Sequence, residues 1–235
     1  MNTKKLWNKF DELSGRCYNN MIGTGEPFEV WDETFDILMD IISVGRDEDP
    51  NYAKELIDLE DSTDFEYDIS GWLEDYLDEL DMYEKYEKLE KVCDKLLKIF
   101  SWVEESPSEL RFRKALVLKS QGKNQEALKF CEKWYHAEED NILAATSLIY
   151  ARLGVKDIDG AECLVKKYIS EDTVCSEEND IVFIAAETLY KVSKNKKAEK
   201  QISQALKKYE EQVEAYMLGE DYEDEDFWDE ELPFN

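Results

Sequence analysis

Apolar residues recur at intervals of three and four along most of the chain, which is the spacing of amphipathic α-helices. From residue 106 onward these helices come in pairs. A helix predicted at 106–121 starts at a Ser-Pro pair, ends at Gly122 and is followed by a second helix from Asn124. The further pairs are 141–153 with 158–169, and 180–192 with 196–217. The pattern therefore predicts helical hairpins that follow one another along the chain.

Small residues stand at equivalent places in these hairpins, where they allow two helices to approach closely. They are Ala115, Ser147 and Ala186 in the first helices and Ala127, Ala161 and Ala198 in the second helices. Each small residue of a first helix is followed three positions later by a large one, namely Leu118, Tyr150 and Leu189.

Over residues 108–210 this pattern resembles the tetratricopeptide repeat (TPR) family. The resemblance implies an all-α fold, a right-handed α-solenoid of TPR-like helical hairpins. Two departures indicate divergent repeats: Arg111 and Lys114 stand where the family has Trp and Leu, and no Pro closes a repeat.

Upstream of residue 106 the repeat fades, although helical spacing continues, as in Trp31, Phe35, Leu38 and Ile42. Helices are predicted at 4–21, 28–44, 51–60, 66–80 and 84–101, and the last two are candidates for a degenerate fourth hairpin. Because a solenoid must cover the apolar face of its first repeat, residues 1–62 are interpreted as an N-terminal helical cap. Residues 63–218 then form the repeats, and residues 219–235 an acidic aromatic tail.

Charge divides the chain, whose formal net charge is -28. Residues 1–90 carry 26 Asp and Glu against 8 Lys and Arg, residues 91–218 carry 22 against 21, and residues 219–235 carry 9 against none. A field this negative repels phosphates, so direct nucleic-acid binding is not expected. A basic protein partner is expected instead. The simpler interpretation is that the acids solvate the outer faces of the helices.

The tail combines this charge with Tyr222, Phe227, Trp228, Leu232 and Phe234. Such apolar anchors favour docking over a purely solubilising role. The tail is therefore expected to bind a partner, a neighbouring copy or the basic patches of its own repeats.

Candidate catalytic and metal-binding residues are few. The one histidine, His136, lies five residues after Cys131, which on a helix separates the two side chains by about 140° and rules them out as a base and its nucleophile. Asp47, Asp49 and Asn51 have calcium-loop spacing, but Tyr52 occupies the position that requires Gly, so an acidic turn is the better interpretation. Neither an enzyme nor a cofactor or metal site is expected.

The compartment is inferred from two further features. The five cysteines are dispersed and form no Cys-x-x-Cys pair, as expected of reduced, mostly buried thiols. The chain has no apolar run of membrane-spanning length and no apolar signal core near residue 1. A cytoplasmic protein that is neither secreted nor inserted in a membrane is expected.

The resemblance also implies a binding surface, because the family binds ligands on the concave side formed by the first helices of its repeats. The positions that match are Phe112, Leu116 and Lys119 in the first repeat, Asn141, Ala144, Leu148 and Arg152 in the second, and Phe183, Glu187, Tyr190 and Lys191 in the third. For Phe112, Leu148 and Phe183, packing against the next hairpin is an equally good interpretation. The family's carboxylate clamp is not expected, since Phe112 and Leu116 occupy places where it requires Lys and Asn.

Three functions remain open. The preferred one is a scaffold or adaptor that binds a peptide or protein segment on this concave face. The alternative is an acidic decoy or inhibitor of a basic, nucleic-acid-binding protein, and the third is an enzyme of unrecognised fold.

Overall fold

The computed structural model describes residues 3–170 and 172–218, and in this part of the chain it contains helices and no β-strand. The helices are α1 Thr3–Met21, α2 Glu29–Glu48, α3 Ile57–Asp61, α4 Ile69–Met82, α5 Tyr86–Ile99, α6 Ser108–Ser120, α7 Asn124–Ala137, α8 Ile142–Gly154, α9 Ile158–Tyr168, α10 Asp180–Val192 and α11 Lys196–Met217. The all-helical prediction is confirmed, and neighbouring helices pack in pairs.

One predicted helix is wrong over most of its length. Residues 51–60 were expected to be helical, but α3 begins only at Ile57. Ala53 has a φ of 49°, in the left-handed region that a right-handed helix does not tolerate. The turn before it is held by Asn51, whose N–H donates to the Asp49 side chain at 2.9 Å. The acidic turn expected at this place is therefore present, and the helix after it is short.

Side-chain caps explain several of the helix starts. The Asp-Ile-x-Gly sequence occurs at the start of both α4 and α9, where the Asp side chain accepts a hydrogen bond from the Gly N–H: Asp68 from Gly71 at 2.9 Å and Asp157 from Gly160 at 3.0 Å. A Cβ on either glycine would lie within 2.4 Å of the capping carboxylate, so a larger residue there would require that carboxylate to shift. Asn141 caps α8 by accepting from the Leu143 and Ala144 amides.

The chain divides into two compact units, Met1–Ala127 (unit 1) and Leu128–Asn235 (unit 2). The predicted boundary at residue 62 lies inside unit 1. Unit 1 is held together across that boundary by a cluster of aromatic rings that joins α2 to α4. Trp31 stacks on Trp72 and on Tyr76, with ring centroids 5.9 and 6.1 Å apart. From α1, Phe10 meets the edge of Trp72 at 5.4 Å. Residues predicted as a cap thus share one core with α4.

Polar contacts complete unit 1. The guanidinium of Arg46, at the end of α2, donates to the carbonyl oxygens of Tyr52, Ala53 and Ile99, and so ties the turn before α3 to the end of α5. Helix α5 packs against α4 on one side and α6 on the other. Unit 1 is therefore continuous from α1 to α6.

Unit 2 is built from the hairpins recognised in the sequence. Helices α8 and α9 pack together, as do α10 and α11, and α10 also contacts both α8 and α9. Beside larger apolar side chains, its core contains six alanines, all with 5% or less of their surface exposed: Ala144, Ala145, Ala151, Ala161, Ala185 and Ala186. Short side chains let these helices lie close together.

Candidate protein-binding surface

The expected binding residues of the first repeat lie in unit 1, on α6. Phe112 and Leu116 are half-buried and Lys119 is exposed. One helical turn separates each from the next, so the three form a single stripe along α6. This stripe offers apolar surface with a basic end.

Four expected residues of unit 2 have little surface to offer. Ala144 and Leu148 on α8 and Phe183 on α10 have at most 1% of their surface exposed, and Tyr190 has 7%. A side chain this deeply buried contributes to the core and cannot contact a partner in this conformation. In this conformation Leu148 and Phe183 are therefore core residues.

The remaining polar residues of unit 2 bond within the hairpins. Arg152 donates to the Gly160 carbonyl oxygen at 2.7 Å, joining α8 to the start of α9. Glu187 on α10 accepts hydrogen bonds from Lys191 at 2.6 Å and from the Ser203 hydroxyl of α11 at 2.5 Å. These two bonds hold the pKa of Glu187 below its ordinary value. Lys191 is exposed, and with Glu187 it presents an ion pair on the surface of α10.

Two apolar residues of α10 were missed by the sequence reasoning. Ile184 has 46% of its surface exposed and Val192 has 56%. Ile184 lies two helical turns from Lys191, on the same side of α10. A signal was available: the segment 180–192 is apolar nearly all round, and a helix at the surface cannot bury every one of its faces.

A second place where titratable groups meet is a 290 Å³ cavity of unit 1, lined in part by Asp32, Tyr76 and Lys88. The Tyr76 hydroxyl donates to Asp32 at 2.8 Å, and the second oxygen of Asp32 accepts from Lys88. Burial first, and then the Asp32 carboxylate, raise the pKa of Tyr76 far above its ordinary value. A phenol held protonated in this way is a structural hydrogen-bond donor and a poor acid or base.

The only histidine and its neighbouring cysteine occupy different environments. His136 is exposed, while Cys131 is fully buried and burial raises the pKa of its thiol to about 12. A thiol this weakly acidic carries almost no thiolate near neutral pH, so it is not an activated nucleophile. All five cysteines are free, and four of them are buried, as expected of mostly buried thiols; Cys163 is exposed.

Within residues 3–170 and 172–218, no group of His, Cys, Asp and Glu side chains is placed to hold a metal ion. The helices of that part include none with the length and apolar character needed to cross a membrane. The acidic aromatic tail at 219–235, including its expected docking, lies outside the described residues.

The chain has no significant match to any protein family model, to any curated protein or to any solved structure.

Proposed function

We propose that this protein is an interaction scaffold or adaptor, a divergent TPR-like α-solenoid that binds a peptide or protein segment on the face formed by the first helices of its hairpins. It works without a catalytic or cofactor site, in a reducing cytoplasmic compartment that keeps its thiols free.

The packing of α10 against both helices of the preceding hairpin carries this proposal. In that arrangement α8 and α10, the two first helices of unit 2, are direct neighbours, as they are in a stack of repeats. In unit 1 the accessible residues of the first helix are the half-buried Phe112 and Leu116 and the exposed Lys119; in unit 2, taken by itself, they are Ile184 and Lys191. Half-buried apolar residues beside lysines suit a segment with apolar and acidic residues.

The test is affinity capture from an extract of the cells that make the protein, with quantification by mass spectrometry. The full chain is compared with a Lys119→Glu/Lys191→Glu variant and with a matched Lys98→Glu/Lys208→Glu variant, whose lysines are also exposed but lie on α5 and α11. We expect at least one protein that stays bound at high salt, with recovery reduced about fivefold or more by the first variant only, because charge reversal replaces attraction by repulsion.

Equal recovery by all three proteins would contradict the proposal. Circular dichroism on both variants checks that the helices are intact.

A further inference from the structure

Unit 1 contains a cleft of about 470 Å³ between α4, α5, α6 and the segment that precedes α6. Its walls are largely apolar and are formed by Leu56, Leu73, Leu77, Leu96, Trp102 and Leu110. Three of these residues, Leu56, Trp102 and Leu110, are half-buried, so part of each side chain is accessible from the cleft. A cleft of this size and lining accepts one or two large apolar side chains.

The segment that forms one wall is held in an unusual conformation. Trp102 has a φ of 54°, which is uncommon for a bulky residue and costs free energy. Three hydrogen-bond donors hold the segment in place. The Trp102 indole donates to the Leu96 carbonyl oxygen and the Ser101 N–H to the Lys54 carbonyl oxygen. The Val103 N–H donates to both oxygens of the Glu55 carboxylate, at 3.2 and 3.0 Å. The wall is therefore organised in advance of any binding.

The rim of the cleft is acidic. Glu74, Glu105 and Glu109 line it, and the one cation in the lining, Arg113, already forms an ion pair with Asp78 at 2.5 Å. Two further carboxylates lie behind the wall: Glu55, bonded to Val103, and Glu60, which accepts from the Ser70 N–H at 2.9 Å. Both have less than a tenth of their surface exposed.

The carboxyl group of Glu105 lies within the negative potential of these neighbours. Burial, followed by the charges of Glu60, Glu55 and Glu104, raises the pKa of its carboxyl group. Like charges that repel one another at an apolar cleft are relieved when a cation binds among them.

We propose that this cleft binds a protein segment that presents a large apolar side chain next to arginine or lysine. The apolar side chain fills the space between Trp102 and Leu110, and the basic residue reaches the carboxylates of the rim. This site shares α6 with the first-helix face but uses other residues of that helix, and it requires a basic partner where the first-helix face suits an acidic one.

Charge complementarity also decides against the chain's own tail as the occupant. Residues 219–235 carry nine acidic residues and no basic one, so the rim repels them. A second copy is disfavoured for the same reason, because each copy carries a net charge of -28.

The probe is a random linear peptide library displayed on phage, panned against the full chain. We expect the enriched peptides to share a large apolar residue adjoining Arg or Lys. Their affinity, measured by fluorescence polarisation, should fall about fivefold or more in the Glu74→Lys/Glu109→Lys variant, since both substitutions place a cation at the rim. The matched control, Glu12→Lys/Glu48→Lys, makes the same change at two exposed glutamates outside the cleft and should leave the affinity unchanged.

A second measurement locates the peptide without any substitution. Hydrogen exchange of the wild-type chain should slow on peptide binding in residues 70–77 and 101–113, which contain most of the cleft lining. Failure to enrich peptides, enrichment of peptides without basic residues, or protection confined to α8 and α10 would each overturn the proposal. The last outcome would leave the proposed function of the first-helix face standing, so the two proposals fail separately.

Discussion

The two units bury different kinds of side chain. The core of unit 1 joins its helices through large rings, with Trp31, Trp72 and Tyr76 in mutual contact. The core of unit 2 includes six buried alanines beside larger side chains such as Leu148 and Phe183, and small side chains allow helices to approach closely. Large rings can fill uneven gaps between helices, whereas alanines at equivalent positions favour a short distance between them. This difference explains why the hairpin repeat can be recognised in the sequence of unit 2 but not in most of the sequence of unit 1.

The largest expected effect tests the ring core of unit 1. Trp72→Ala removes a side chain with 1% of its surface exposed that contacts Phe10, Trp31 and Tyr76. We expect the free energy of unfolding to fall by about 3–5 kcal/mol, because the rings around it cannot close the cavity. Urea denaturation followed by circular dichroism measures the loss.

Trp102→Ala is the matched control, since Trp102 is half-buried and contacts a single ring, Phe100. A loss at Trp72 no larger than the loss at Trp102 would show that the ring cluster is not the core of unit 1.

The next effect tests the close packing of unit 2 by making a small residue large. Ala161 on α9 is completely buried where α9 packs against α8. Ala161→Leu should lower the free energy of unfolding by about 1–3 kcal/mol, because the added methyl groups force the two helices apart. Ala137→Leu, at an exposed residue, should change it by less than about 0.5 kcal/mol. If Ala161→Leu is as neutral as Ala137→Leu, the hairpins do not depend on close approach.

The same contrast shows how much could be predicted from the sequence. In unit 2 helical spacing, glycines and capping residues agree, so α8 was expected at 141–153 and lies at Ile142–Gly154. In unit 1 the acidic turn was expected but the late start of α3 was not, because a positive φ at Ala53 has no signature in a residue that favours helices. The Arg46 guanidinium that supports that turn acts across 53 residues of sequence to Ile99, a distance no local pattern can reveal.

The binding residues were harder to predict than the helices. Alignment assigns Leu148 and Phe183 to the ligand face by position, but whether a position on that face is open depends on what packs over it. The cleft of unit 1 was not predicted, since its lining comes from separate segments between Leu56 and Arg113 that only the fold brings together.

The smallest effect compares two glutamates with opposite pKa shifts. Burial, and then the charges of Asp75 and Asp78, raise the pKa of Glu79 in unit 1, and its Oε2 atom has no hydrogen-bond partner. In unit 2, hydrogen bonds from Lys191 and Ser203 lower the pKa of Glu187. Above the ordinary value of 4.5, ionised Glu79 therefore costs stability, whereas ionised Glu187 contributes it.

Replacing each glutamate by glutamine shows whether its ionised carboxylate raises or lowers the free energy of unfolding. Near pH 7, Glu79→Gln should raise the free energy of unfolding, and this gain should shrink as the pH falls through the raised pKa toward 4.5. Glu187→Gln should lower it by about 0.5 kcal/mol, the contribution typical of a surface pair four residues apart, and this loss should vanish as the pH falls through the lowered pKa. Urea denaturation at a series of pH values measures both differences. If both substitutions change the free energy of unfolding in the same direction, Glu79 has a partner or solvent that offsets its burial. Unit 1 would then lack the uncompensated carboxylate that distinguishes it from unit 2.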